Sequence, residues 1–175
     1  MLDRRLYSIV VNALDAESVV KYPLDFDIRL IVQKSLYLLT HGKDENKITI
    51  PYNWSFYLRG PYSSEIAHML YYMEDFLDEL SSTPQPLSEE DQTIINQFNM
   101  FKATLESQFR ERGLNAFSGR VFEALATLVY ISKQVGRENE KILLIFQRLK
   151  FNLFQELSQP IIELLLQCLK NFNFL

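Results

Sequence analysis

The sequence predicts a mostly α-helical chain with one small β-hairpin, a winged-helix-like N-terminal lobe followed by a C-terminal helical bundle. Three observations predict it. Apolar residues recur every three or four positions over most of the 175 residues. A short stretch around Trp54 alternates apolar and polar residues instead, at strand period. A third pattern, Ser81-Ser82-Thr83-Pro84-Gln85-Pro86, is linker-like and divides the chain into residues 1–83 and 87–175, two lobes or one continuous domain.

Residues 3–16 read as the first helix, with Leu6, Ile9, Val10 and Leu14 in one stripe. A polar segment, residues 16–23, follows. Asp25 or Asp27 can cap a second helix over residues 28–41. Its stripe of Ile28, Ile31, Val32, Leu36 and Leu39 is widened by Leu30, Tyr37 and Leu38, which predicts a central position. Gly42 suits a left-handed stop. After a polar turn at residues 43–46 come two strand candidates, 47–50 and 54–58, joined through Pro51 and Asn53. In the second, Trp54, Phe56 and Leu58 share one face.

Ser63 or Ser64 opens the next helix, and Glu65 in its first turn complements the helix dipole. Ile66, Met69, Leu70, Met73, Phe76, Leu77 and Leu80 form its stripe. Asp75, Asp78 and Glu79 fall near its C-terminal end, where the dipole disfavours them; they read as a solvated acidic face or a docking surface for a basic partner. Ser88-Glu89-Glu90-Asp91 is a capping-box-like start for a long helix. Its seam is Ile94, Phe98, Phe101, Leu105 and Phe109, and Gly113 ends it. Asn115 or Ser118 opens a further helix with Phe117, Val121, Ala124, Leu128, Ile131 and Val135 on one seam, closed by Gly136. Residues 138–151 and 159–172 read as two more, with Pro160 in the first turn of the last.

Composition bounds the function classes. A hydrophobic content of 47% suits a packed globular core and excludes disorder. A single cysteine, Cys168, excludes an internal disulfide, and its apolar neighbours predict a buried residue rather than a reactive thiol. The N-terminus lacks the pattern of a signal peptide, and no apolar run reaches the length of a membrane span. The expectation is a soluble cytoplasmic protein. Net charge is −4, unevenly placed: residues 60–101 carry eight acidic and no basic side chains, while ten basic and seven acidic ones follow. The acidic middle repels a phosphate backbone.

Chemistry-bearing patterns are sparse. His41 and His68 have no partner at metal-ligand spacing. No phosphate-cradling glycine loop occurs, and the adjacent carboxylates Glu74-Asp75 and Glu89-Glu90-Asp91 point in different directions along a helix. No cofactor is expected. The remaining candidate is Arg59-Gly60-Pro61-Tyr62-Ser63. Gly60 before Pro61 permits a tight change of direction, Tyr62 can pack over it, and Ser63 can cap the helix behind. The stretch is read chiefly as a corner; the alternative is an anion site at that helix start, with Arg59 beside it.

Two stretches together resemble a known family. "RLIVQKSLYLLTHG" is similar to the Gln-Lys-x-x-Tyr-Leu-Leu helix of the uncharacterised YwgA-like proteins, related to the Panacea (SocA-like) antitoxin domain. "SFYLRGPYSSEIAHML" resembles the strand, Gly-Pro turn and helix that follow it there. The matching positions are Gln33, Lys34, Tyr37, Leu38 and Leu39, then Tyr57, Gly60, Pro61, Tyr62, Ser63 and Glu65, within about residues 26–80. The resemblance implies a mostly helical fold with a small hairpin. It also implies a non-catalytic protein acting through protein contacts, as an antitoxin, adaptor or regulator. It supplies no catalytic residues.

A protein-binding regulator is therefore the leading expectation. A winged-helix nucleic-acid binder is the alternative, with Arg29, Lys34, Lys43, Lys47 and Arg59 as contacts, against the net acidity. A small hydrolase or nuclease would require His41, His68, Glu65 and Arg59 to converge in one pocket. The sequence does not name the partner or the oligomeric state.

Overall fold

The computed structural model describes residues 3–14, 25–42, 47–82 and 85–175; the side chains of Glu74 and Leu77 lie outside the described part. So do the expected polar segment 16–23, the turn at 43–46, and Thr83-Pro84 of the linker. Among the described residues the chain is mostly helical with one two-stranded antiparallel sheet. In chain order the elements are α1 (Arg4–Leu14), α2 (Phe26–His41), β1 (Ser55–Tyr57) and β2 (Gly60–Tyr62). Then follow α3 (Ser64–Asp75), α4 (Leu77–Ser82), α5 (Glu89–Arg110), α6 (Gly119–Val135), α7 (Asn139–Leu149), α8 (Phe151–Leu157) and α9 (Gln159–Asn171).

Two helices form the centre. Every residue of α2 from Leu30 to Leu39 is buried, as is every residue of α6 from Val121 to Val129. They pack extensively against each other, with β2 also on α6 and α1 on α5. Each fully buried aliphatic side chain contributes roughly 1.5–3 kcal/mol, so the paired helices supply a large share of the apolar stabilisation. The core is one cluster drawn from both sides of residues 81–86. Caps fix the helix starts. Asp25 accepts the Ile28 N–H at 2.8 Å, while Asp27 instead accepts the Gly119 N–H at 3.1 Å, tying α2 to the start of α6. Ser63, Ser88 and Ser118 cap α3, α5 and α6.

Six expectations are corrected. The hairpin does not pair residues 47–50 with 54–58. Its strands are β1 and β2, in register Ser55↔Tyr62, Phe56↔Pro61 and Tyr57↔Gly60. Segment 47–50 is held elsewhere: the Ile48 N–H donates to the Leu39 carbonyl at 2.8 Å, and the Thr49 carbonyl accepts from Arg5 at 2.8 Å. Leu58 is not on the half-buried face with Trp54 and Phe56; it sits at the turn apex and is 86% exposed. The Arg-Gly-Pro-Tyr stretch is thus the turn and second strand rather than a corner after the strand. Gly42 ends α2 at φ −58°, ψ 179°, an extended rather than left-handed stop.

The helix after Ser63 is interrupted at Phe76, which leaves Asp78 and Glu79 in the first turn of α4, where the dipole favours them. Finally, residues 138–157 form two helices, α7 and α8, that meet at Lys150 (φ −130°, ψ 46°). Sequence periodicity alone does not reveal α8, because two short helices with a bend share no single stripe. Cys168 is buried, and burial raises its thiol pKa.

Candidate functional site

The hairpin is fastened to the core by side chains from three helices. On α2, the Gln33 carboxamide pairs with the backbone of Ser63, donating to its carbonyl (2.9 Å) and accepting from its N–H (3.2 Å). One residue on, Lys34 is 1% exposed and its Nζ donates to the Pro61 carbonyl. Pro61 has no N–H, so β2 tolerates it at a sheet edge, and its carbonyl is free to accept from Lys34. At the α7–α8 bend, the Lys150 Nζ donates to the Leu58 carbonyl in the turn. Gly60 has φ +80°, and a Cβ there would lie 2.6 Å from the Thr127 hydroxyl oxygen of α6. Only glycine gives both the left-handed turn and this approach.

Behind the turn lies a buried charge network. Glu123 on α6 is 2% exposed and receives Lys150 at 2.9 Å, Arg120 at 2.9 Å and Arg59 at 3.8 Å. Arg120 also grips Glu156 of α8 at 2.6 Å, which lowers the Glu156 carboxyl pKa. Burial pulls the Lys34 ammonium down to about 7; Glu123 opposes that shift, while Lys150 and Arg59 add to it. The carboxylate is the shared counter-charge that lets several cations sit below the surface.

Two cavities open on either side of the turn, and Leu58 and Arg59 line both. The first is a groove of about 380 Å³ between β1–β2, α2 and α3, with Gln33 and Lys34 among its lining. Its walls include Phe26, Tyr57, Leu58 and Tyr71, exposed at 59%, 64%, 86% and 53%. Arg59 lies over the Phe26 ring at 5.1 Å and Arg29 over the Tyr71 ring at 5.0 Å, which props both rings in place. The second is a cleft of about 480 Å³ lined by Arg59, Arg120, Arg148 and Lys150, with Glu123 as its carboxylate.

The structure brings Gln33, Lys34, Arg59, Gly60 and Tyr62 to the groove, and Pro61 and Ser63 serve it through backbone contacts. Tyr37 is not there. It is 2% exposed, stacks on His41 at 4.1 Å and meets Trp54 edge-on at 5.1 Å. Glu65 is occupied with the approach to β1, accepting the Asn53 N–H at 2.9 Å. His68 sits edge-on to Tyr72, and His41 is half-buried with burial pulling its pKa down to about 4. Of His41, His68, Glu65 and Arg59, only Arg59 lines either cavity. Of the five basic residues of the nucleic-acid alternative, Arg29, Lys34 and Arg59 line the groove, Lys34 buried there, while Lys47 is not in that lining and Lys43 is outside the described residues.

Sequence reasoning missed Phe26, Tyr71, Arg120, Glu123, Arg148 and Lys150. Glu123 and Lys150 are 27 positions apart, and Lys150 and Leu58 are 92 apart, so no local spacing marks them. No protein-family model, curated protein or solved structure matches the chain.

Proposed function

We propose that this protein is a non-catalytic interaction or regulatory protein, antitoxin- or adaptor-like in its mode of action, acting in the cytoplasm. Its partner is a protein that docks an apolar side chain into the groove beside the hairpin. One observation carries the reading: a hairpin locked to three helices holds Tyr57 and Leu58 exposed beside an apolar groove walled by Phe26 and Tyr71. Tyrosine, phenylalanine and arginine are the residues that enrich protein interfaces, and a preformed pocket at their centre is where binding energy concentrates. The residues that carry the family resemblance, Gln33, Lys34 and Gly60 to Ser63, support the reading as the parts that build this groove. No described helix is long and apolar enough to cross a membrane.

The test is a photo-crosslinking residue at Leu58, with Met100, exposed on α5 and absent from both cavity linings, as control. Expression in the native host is expected to give a discrete protein adduct from position 58 and none from position 100. The purified partner is then expected to bind saturably, and Leu58→Asp to weaken it by about tenfold or more. Equal adducts at both positions, or an affinity untouched by Leu58→Asp, would refute the reading.

A further inference from the structure

The groove and the cleft share a wall, and their chemistries are opposite. The groove is apolar. The cleft presents four cationic side chains around one carboxylate, and that carboxylate, Glu123, is already engaged by Lys150, Arg120 and Arg59. Arg148 is exposed on the rim and makes no ion pair among the described residues. The cleft therefore has unspent positive charge, on a chain whose net charge is −4.

We propose that the two cavities form one bipartite site for an acidic peptide segment: an aromatic or large aliphatic anchor enters the groove, and an aspartate or glutamate beside it in sequence reaches the cleft. This rests on the docking reading above and adds to it the chemistry of the partner. The occupant is set by charge complementarity and shape. Leu58 and Arg59 at the turn belong to both linings, so a chain crossing the turn passes directly from one cavity to the other. Successive residues of an extended peptide advance by about 3.3 Å and point to alternate sides, which places an anchor and a nearby acidic side chain within reach of adjoining cavities.

The cleft places the acidic flank: its one lining carboxylate, Glu123, is already engaged, and Arg59 and Arg148 attract a negative side chain there. Arg148 and Arg59 offer guanidinium groups, which match a carboxylate in a planar fork, while that of Arg120 is taken by Glu123 and Glu156.

The test uses fluorescein-labelled synthetic peptides with a central phenylalanine flanked on one side by Glu-Glu, Gln-Gln or Lys-Lys, and a Glu-Glu peptide with alanine in place of phenylalanine. The wild-type protein and Arg148→Glu are titrated by fluorescence anisotropy. Arg148 is exposed, so its reversal leaves the core intact, which a thermal melt checks. The Phe peptide with Glu-Glu is expected to bind about tenfold tighter than the Gln-Gln form, with the Lys-Lys form weakest and added salt shrinking the difference. Arg148→Glu is expected to lose most of that preference while binding the Gln-Gln form as wild type does.

Equal binding of all three Phe peptides would overturn the bipartite site and leave the groove reading standing. Binding that follows Glu-Glu regardless of phenylalanine, or capture of a short single-stranded DNA in preference to every peptide, would overturn both. So would the absence of binding to any peptide. A concentration-dependent dimer in sedimentation, lost in Leu58→Asp, would make a second copy of the chain the occupant and overturn the peptide assignment.

Discussion

Replacing Lys34 with methionine should change how stability depends on pH. In the folded chain Lys34 is 1% exposed, and burial lowers its pKa from 10.5 to about 7. Between those values the unfolded chain binds a proton that the folded chain does not, so raising the pH favours folding. Below about pH 7 both states are protonated and this slope vanishes. The clean window closes at about pH 8.5, where an ordinary thiol begins to ionise and buried Cys168, with its raised pKa, starts to act in the opposite direction. Across that window of about 1.5 pH units, at about 1.4 kcal/mol per unit, wild-type stability should rise by nearly 2 kcal/mol.

Lys34→Met removes the titrating group. It also takes the donor from the Pro61 carbonyl, a loss of about 1–3 kcal/mol where the neutral amine would still donate. The two proteins should therefore diverge as the pH rises, with the mutant flat and the wild type gaining. Urea unfolding at about pH 7 and pH 8.5, followed by the fluorescence of Trp54, reads both stabilities. Parallel pH profiles, or a wild type that weakens over this window, would refute the claim that a buried ammonium is held against its desolvation.

Other substitutions probe the same clamp. Gly60→Ala should cost about 2–4 kcal/mol in a urea melt, because the φ of +80° is strained for alanine and its Cβ meets Thr127; adding Thr127→Ala should restore only the steric part. Glu123→Gln should destabilise by about 3–5 kcal/mol, since Lys150, Arg120 and Lys34 lose their shared counter-charge. Combined with Lys150→Met its effect should be less than additive by more than about 1 kcal/mol in a double-mutant cycle. His41, whose folded pKa is depressed to about 4, should make stability fall as the pH drops from 6.5 toward that value, because the unfolded chain protonates first. His41→Phe keeps a ring on Tyr37 and should remove about 1–3 kcal/mol of that fall in acid-range melts.

Much of the fold was legible because helical periodicity is a local property. The stripes of α1, α2, α5 and α6 and the caps at Ser63, Ser88 and Ser118 depend on residues within a turn or two of each other. The hairpin was legible as a hairpin but not in its pairing. Alternation around Trp54 marks a strand, yet choosing between residues 47–50 and 60–62 as its partner depends on what else those segments touch. Arg5 and Leu39 hold the first, and Lys34 and Gln33 hold the second. The bend at Lys150 escaped for the same reason, since the carbonyl and carboxylate that bury its ammonium are 92 and 27 positions away.

By itself, the sequence determined a mostly helical chain with one small hairpin, a central α2, and the stretch 59–63 as its most distinctive feature. Tertiary structure decided what that stretch is: a turn and an edge strand, clamped by Lys34 and Lys150 through carbonyl oxygens and set between an apolar groove and a basic cleft. The physical reason lies in range. Periodicity, caps and turn residues act over a few positions and can be read along the chain. A buried ion network has no spacing rule, because desolvation is repaid only by whichever opposite charges folding brings within a few ångströms.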